Sequence, residues 1–195
     1  MPETGAATIL LIDDERDIVR IYESHLESSY EVRTATSAHE GLELLDDSVD
    51  VVLLDRHMPD MSGDEVLTTI RDNGVNCRVV MATAIEPDTD LLDMDFDEYL
   101  VKPLTGEELR LAVERMLARN RLEDRLEDMI DLSVTLATLE SKLEIEDLEE
   151  SDKYQCLLEE FYDRRLEAQQ LFEDNHFTDA TLEKLRTFLR VHPAG

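Results

Sequence analysis

Val51-Val52-Leu53-Leu54-Asp55 is an unbroken apolar run that ends on a carboxylate. Apolar residues on consecutive positions suit a strand buried on both faces, as in the middle of a parallel sheet. A carboxylate closing such a run belongs where the strand emerges from the sheet. In open α/β sheets the crevice beyond the carboxyl ends of the strands is where ligands bind. Arg56-His57-Met58-Pro59-Asp60-Met61-Ser62-Gly63 follows, and its Pro and Gly stop both strand and helix. Asp55 therefore opens a loop.

Working outward, Thr8-Ile9-Leu10-Leu11-Ile12 is a second apolar strand that ends in carboxylates, Asp13-Asp14-Glu15. Ile18, Ile21, Tyr22 and Leu26 lie at helical spacing within 16–28. Residues 30–35 alternate in polarity and suit a shorter edge strand. Ser37 with Glu40 has capping-box spacing for a helix carrying Leu42, Leu44 and Leu45. After Gly63, Val66, Leu67 and Ile70 mark a helix that closes at Asn73-Gly74. A strand is predicted over 77–82, leading into Thr83, and a short helix over 88–93. The last strand, 97–101, is ended by Lys102-Pro103, after which Thr105 and Glu108 form another capping pair. This repeated alternation of strand and helix predicts a three-layer α/β fold with a parallel sheet.

The chain has 195 residues and a formal net charge of -29. The acidity is spread over both parts, -19 up to Ala118 and -10 beyond it. Such a field repels nucleic acid at ordinary ionic strength. Lysine is scarce, with Lys102, Lys142, Lys153 and Lys184 the whole set. An acidic, lysine-poor chain points to a halophilic cytoplasm, because at ~1 M salt the screening length is only about 3 Å and self-repulsion largely vanishes. Cys77 and Cys156 form neither a disulfide framework nor a zinc cluster. Residues 1–5 do not read as a signal peptide, and the longest apolar runs are too short to span a bilayer. The expected location is cytoplasmic.

The strand ends gather Asp13, Asp14, Asp55, Thr83 and Lys102 on one side of the sheet. Neighbouring carboxylates repel one another unless a cation neutralises them, and Mg²⁺ typically uses one or two carboxylates together with water and phosphate oxygens. One carboxylate can then attack phosphorus as a nucleophile. The equatorial oxygens of a phosphoryl group need positive charge and donors, which Lys102 and the Thr83 hydroxyl supply.

With Ile12-Asp13-Asp14-Glu15, Leu54-Asp55-Arg56-His57-Met58-Pro59 and Gly63, Ala82-Thr83-Ala84 and Tyr99-Leu100-Val101-Lys102-Pro103, residues 7–118 closely resemble the receiver domain of two-component response regulators. The resemblance implies a flavodoxin-like, doubly wound five-stranded parallel sheet of order 2-1-3-4-5. It implies that Asp55 takes a phosphoryl group from a histidine kinase or a small-molecule donor. It implies a Mg²⁺ ligand set of Asp13, Asp14, Asp55 and the His57 backbone carbonyl, with Lys102 and Thr83 assisting the chemistry. Thr83 and Tyr99 are then the switch pair, Thr83 moving toward the phosphoryl group and Tyr99 turning inward. The protein is expected to be a phosphoacceptor regulator and not an enzyme acting on external substrates. One departure stands out: Met94-Asp95-Phe96 replaces the small pair common in the family.

From Glu107 to His192 there is neither Gly nor Pro, which points to helix throughout. Leu109, Val113, Met116 and Leu117 form the face of the last receiver helix, and Leu122, Leu126 and Met129 continue it. Leu132, Leu136, Leu139 and Leu143 sit in a shifted register, so a stutter or break is predicted near Asp131. Ser151 caps a further helix, and Leu182, Leu185, Phe188 and Leu189 mark a short last one. Residues 119–192 thus read as an all-α hairpin or coiled-coil-like domain, resembling the HalX-type domain found after receivers in haloarchaea. The expected output is homodimerisation or docking on a protein partner. Nucleic-acid binding is the alternative, disfavoured because Arg164-Arg165 and Arg186 with Arg190 are embedded in acids. An aspartyl-phosphate phosphatase would need a second Asp at position 57, which is His57.

Overall fold

The computed structural model describes residues 6–84 and 94–175. The expected helix over 88–93 and the one around Leu182–Leu189 lie outside them. Contacts divide the chain into two units, Met1–Leu117 and Ala118–Gly195.

The first unit holds β1 (Thr8–Ile12), α1 (Arg16–Leu26), β2 (Glu31–Ala35), α2 (Ala38–Leu44), β3 (Val51–Leu54), α3 (Gly63–Asp72), β4 (Arg78–Thr83) and β5 (Glu98–Val101). The helix α4 (Gly106–Glu140) begins in this unit. The strands form one parallel sheet of order β2-β1-β3-β4-β5, the doubly wound flavodoxin-like arrangement expected from the sequence.

Alternation along the central strands builds two cores. Leu10, Ile12, Val52, Leu54, Val79 and Met81 point to one face and pack with Val66, Leu67 and Ile70 of α3. Ile9, Leu11, Val51, Leu53 and Val80 point to the other and meet Tyr22 and Leu26 of α1 and Leu109 and Val113 of α4. Each fully buried aliphatic side chain is worth about 1.5–3 kcal/mol by removal from water, so β1, β3 and β4, buried on both faces, anchor the unit.

The helix ends follow the capping chemistry of their sequences. Glu40 N–H donates to Ser37 Oγ, while the Glu40 carboxylate reaches back to Thr36 N–H at 2.8 Å, one residue before the cap. Thr105 and Glu108 form a reciprocal pair ahead of α4. Ser62 and Glu65 complete a full capping box for α3. Gly74 closes that helix at φ 69°, a left-handed conformation that glycine adopts without a Cβ penalty.

Three readings need correction. Ile21 is 50% exposed, and the inner face of α1 is Val19, Tyr22 and Leu26; 100° per residue places Val19, not Ile21, in line with Tyr22 and Leu26. Two strand starts also differ by a residue, β4 beginning at Arg78 instead of 77 and β5 at Glu98 instead of 97. Most instructive, α4 runs without a break to Glu140. Its buried positions Leu122, Met129 and Leu136 recur every seventh residue, so the heptad passes straight through Asp131.

In the second unit, that stretch of α4 is followed by the short α5 (Ile145–Glu149) and by α6 (Asp152–Asn175). Phe161 and Ala168, also seven apart, complete the seam. The pairing is antiparallel: Arg125 Nε meets Glu167 at 2.9 Å, Arg164 meets Asp128, and the Tyr154 hydroxyl donates to Glu140 at 2.7 Å. The described residues of this unit, 118–175, form an all-helical hairpin, one of the two forms expected. Among the described residues no helix is long and apolar enough to cross a membrane.

Cys77 is buried, and burial pushes its thiol up to about 11, whereas Cys156 is exposed. A thiolate-specific reagent should therefore label one thiol per native chain promptly and the second only after denaturant is added. Rapid modification of both in the native state, read by mass, would contradict this packing.

Candidate functional site

Register places the polar groups. Ile12 pairs with Leu54 across β1 and β3, so Asp13 and Asp55, one residue further on, emerge side by side. Their backbones are fixed by Asp13 N–H to Ala35 O at 3.2 Å and Asp55 N–H to Ile12 O at 2.8 Å. Lys102 follows β5, and its N–H donates to Thr83 O at 2.8 Å. The Lys102–Pro103 peptide bond is cis.

Lys102 Nζ lies 2.5 Å from Asp13 Oδ2 and 2.8 Å from Asp55 Oδ1. All three side chains are below 10% exposed. The remaining carboxylate oxygens take backbone donors: Asp13 Oδ1 accepts from Glu15 N–H and Asp55 Oδ2 from His57 N–H, each at 2.9 Å. Burial pushes the Lys102 pKa down, but the bonds to both carboxylates outweigh it and hold the ammonium above the ordinary lysine range. Burial is also the largest influence on Asp13, raising its pKa against the pull of Lys102.

Of the residues singled out from the sequence, Asp13, Asp55 and Lys102 are in direct contact. Thr83 is fully buried at the end of β4 and meets Lys102 through its carbonyl. Asp14 is exposed and lines an open cleft of about 430 Å³ together with Arg56, His57 and Asp64. Tyr99 is half-buried, its ring 5.8 Å from that of Phe96, a residue of the atypical 94–96 stretch.

One ammonium serves two buried carboxylates, leaving a negative surplus with Asp14 beside it. That oxygen-rich donor set fits a hard divalent cation, which needs only one or two carboxylates and keeps several waters. Among the described residues no group of three or more His, Cys, Asp or Glu side chains is assembled to hold a metal ion by itself.

Two supports escaped the sequence reading. Arg56 grips Asp64 with two parallel bonds, Nε to Oδ1 at 3.0 Å and Nη2 to Oδ2 at 3.1 Å. Asp97 accepts from Arg71 Nη2 at 2.9 Å, Arg78 Nη1 at 2.8 Å and Val79 N–H at 2.9 Å, tying α3 and β4 to the chain entering β5. Arg56 and Asp64 are 8 residues apart, and Asp97 is 18, 19 and 26 residues from its donors, so neither support leaves a local motif. The Ser62–Glu65 capping box did leave one, in its spacing.

A doubly wound sheet with acids and one lysine gathered at its carboxyl edge defines the class of α/β proteins that bind ligands at that crevice. Residues 9–114 match the response regulator receiver domain family, and the chain belongs to that family. A protein of Haloferax volcanii described as a transcriptional regulator is 44% identical over 154 residues, covering 77% of this chain and 26% of that one. Response regulator SaeR of Staphylococcus epidermidis is 30% identical over 148 residues, covering 72% and 65%. The chain thus spans about a quarter and just under two thirds of these relatives' lengths. Among solved structures, a receiver domain protein of Clostridium thermocellum is 36% identical with a TM-score of 0.54, covering 60% of this chain and 98% of that one. The BeF3-activated receiver domain of DrrB is 27% identical with a TM-score of 0.54, covering 58% and 98%. DrrB is described as a Thermotoga maritima OmpR/PhoB homologue.

The loop after Asp55 is held closed by Gly63, whose N–H donates to Arg56 O at 2.8 Å. A Cβ at Gly63 would lie 2.3 Å from Asp55 O and 2.8 Å from Arg56 Cα, both backbone atoms. At Gly41 the nearest atoms, 2.5–3.0 Å away, all belong to the buried Ile12 side chain and none to the backbone, and a side chain shifts at less cost than a backbone. Gly63→Ala should therefore cost about 1–3 kcal/mol in denaturant unfolding and Gly41→Ala measurably less; the reverse order would show that the 55–63 loop is not constrained in this way.

Proposed function

We propose that residues 7–118 are a phosphorylation-controlled receiver whose acceptor is Asp55, and that 119–192 carry the output as a HalX-like helical domain. The observation that carries the reading is the Lys102 ammonium held between Asp13 and Asp55. An Asp55 oxygen bonds to the donor phosphorus as the bond from phosphorus to the donor's leaving atom breaks and that group departs with the electron pair, and Lys102 turns from its carboxylate partners to the phosphoryl oxygens. Asp13, Asp14, Asp55 and the His57 carbonyl would hold Mg²⁺, which when bound neutralises the crowded oxygens of acceptor and phosphoryl group. Thr83, already bonded to Lys102 through the backbone, and Tyr99, on the neighbouring strand where it pairs with Met81, make the switch that reports the modified state. The donor is a histidine kinase or a small phosphorylated metabolite.

For the output, the comparisons favour transcriptional control over the protein docking or dimerisation expected from charge alone. The Haloferax relative is described as a transcriptional regulator, and its 154 aligned residues exceed the receiver match at 9–114, so the similarity continues into the helical part. DrrB's description as an OmpR/PhoB homologue points the same way. Acidity is no bar to DNA where molar salt screens repulsion beyond about 3 Å. The haloarchaeal relative and the lysine-poor composition support a halophilic setting, so the assays belong in molar KCl.

Acetyl phosphate with Mg²⁺ should add one phosphoryl group to the wild-type chain and none to Asp55→Asn, read by intact mass. An unmodified wild type, under conditions that load another receiver, would refute the central assignment. Fragments upstream of the protein's own gene and neighbouring genes should be retained more tightly by the phosphorylated chain in molar KCl. If retention is absent in both states while phosphorylation changes the oligomeric mass, the docking or dimerisation reading replaces the transcriptional one.

A further inference from the structure

We propose that the open face of the helical hairpin is the seat of the chain's own C-terminal stretch, with Leu182, Leu185 and Leu189 laid along it as a third helix. Residues 176–195 lie outside the described residues, and they follow directly on Asn175, where α6 ends.

The two long faces of the hairpin differ. One is closed by ion pairs that cross it, Arg125 with Glu167 and Arg164 with Asp128. The other carries a groove of about 190 Å³, lined by Ser133 and Ala137 of α4 and Leu158, Tyr162 and Arg165 of α6 among others. Helical repeat extends that face, because Ile130 stands one heptad before Ala137 and Leu166 one turn after Tyr162. Asp128 and Arg164, each two residues from Ile130 or Tyr162, are turned about 200° away from them. On the groove side Ile130, Val134, Tyr162 and Leu166 are 46–61% exposed, and covering such side chains is favourable.

Reach, length and charge decide what covers them. From Ile130 to Ala137 the face runs for about 10 Å of helix. Leu182 to Leu189 spans the same number of residues, with leucines at steps of three and four that share one side of a helix. The seven chain steps from Asn175 to Leu182 can cover about 23 Å when extended, whereas Leu166 lies only about 14 Å back along α6. The stretch therefore reaches the face, running antiparallel to α6. Being tethered, it meets the face at an effective concentration in the millimolar range, which a second chain in dilute solution does not match. Its charge is also of the opposite sign. Residues 176–195 hold three bases and two acids, while 119–175 hold seven bases and eighteen acids. A second copy of the hairpin would instead bring acids against acids.

The test joins face to stretch in the full chain with a short bismaleimide, in molar KCl, read by intact mass. Cys156 is replaced by Ser, and Cys77 stays protected by burial. Tyr162→Cys with Thr187→Cys should give monomers in which one linker bridges both thiols. Glu160→Cys with Thr187→Cys has the same tether but an α6 thiol about 200° around the helix, and should take two separate linkers per chain. Bridging should be about tenfold faster in the first pair, the bias that burying one leucine supplies. Leu185→Asp with Phe188→Asp, added to the first pair, should lower bridging to the level of the control. Equal bridging of the two pairs overturns the proposal, as does bridging that survives the two aspartates. Bridges found at dimer mass overturn it in favour of a second copy. Should the Tyr162→Cys chain lose helicity by circular dichroism, Leu166→Cys takes its place with the same expected and overturning results.

Discussion

Two buried carboxylates share one ammonium at the carboxyl edge of the sheet, and the first unit is arranged so that they can. Asp13 and Asp55 are neighbours because Ile12 is paired with Leu54. Lys102 reaches them because Val101 is paired with Thr83 and the chain turns immediately afterwards. A slip of one residue in either pairing would send these side chains to the opposite face, and the apolar alternation of β1, β3 and β4 forbids it. Removing the ammonium would leave two buried carboxylates uncompensated, at a cost of about 3–5 kcal/mol, whereas removing one carboxylate relieves the surplus. Hydrophobic packing thus sets the register, and the register sets the chemistry.

Much of this was legible. Runs such as 8–12 and 51–54 announce central strands by being apolar without interruption, and an acid or a lysine at the end of such a run is conspicuous. Capping spacings at Ser37, Thr105 and Ser151 located helix starts to the residue. What escaped was long-range or rotational. The grip of Arg56 on Asp64 and the three donors around Asp97 depend on tertiary proximity that no local pattern encodes. The break expected near Asp131 is absent, since Leu122, Met129 and Leu136 are buried at intervals of seven along one continuous helix; the intermediate leucines Leu126, Leu132 and Leu139 made the local spacing look shifted.

The basic residues are few and their partners specific. Arg71 and Arg78 close around Asp97, Arg33 around Asp46, Arg115 around Glu98 and Arg56 around Asp64. These pairs remove charge from positions where it would oppose packing, while the excess of acids lies outside the cores. The pair with the more exposed carboxylate, Arg33 with Asp46, contributes little in dilute buffer, while the half-buried set around Asp97 ties elements together; most of the stability comes from the two apolar layers and the hairpin seam. Self-repulsion of the surface then becomes the variable term, and salt its control.

The same reasoning constrains how the helical hairpin can act. Arg164 is held by Asp128 across the seam and by Glu160 one turn away, and Arg125 by Glu167. A phosphate contact through Arg164 would have to replace two carboxylates that already satisfy it and that help to set the antiparallel pairing. Phosphate contact through Arg164 or Arg125 therefore competes with the hairpin's own cohesion, because the carboxylates that hold these guanidiniums across the seam are the ones that fix the antiparallel pairing.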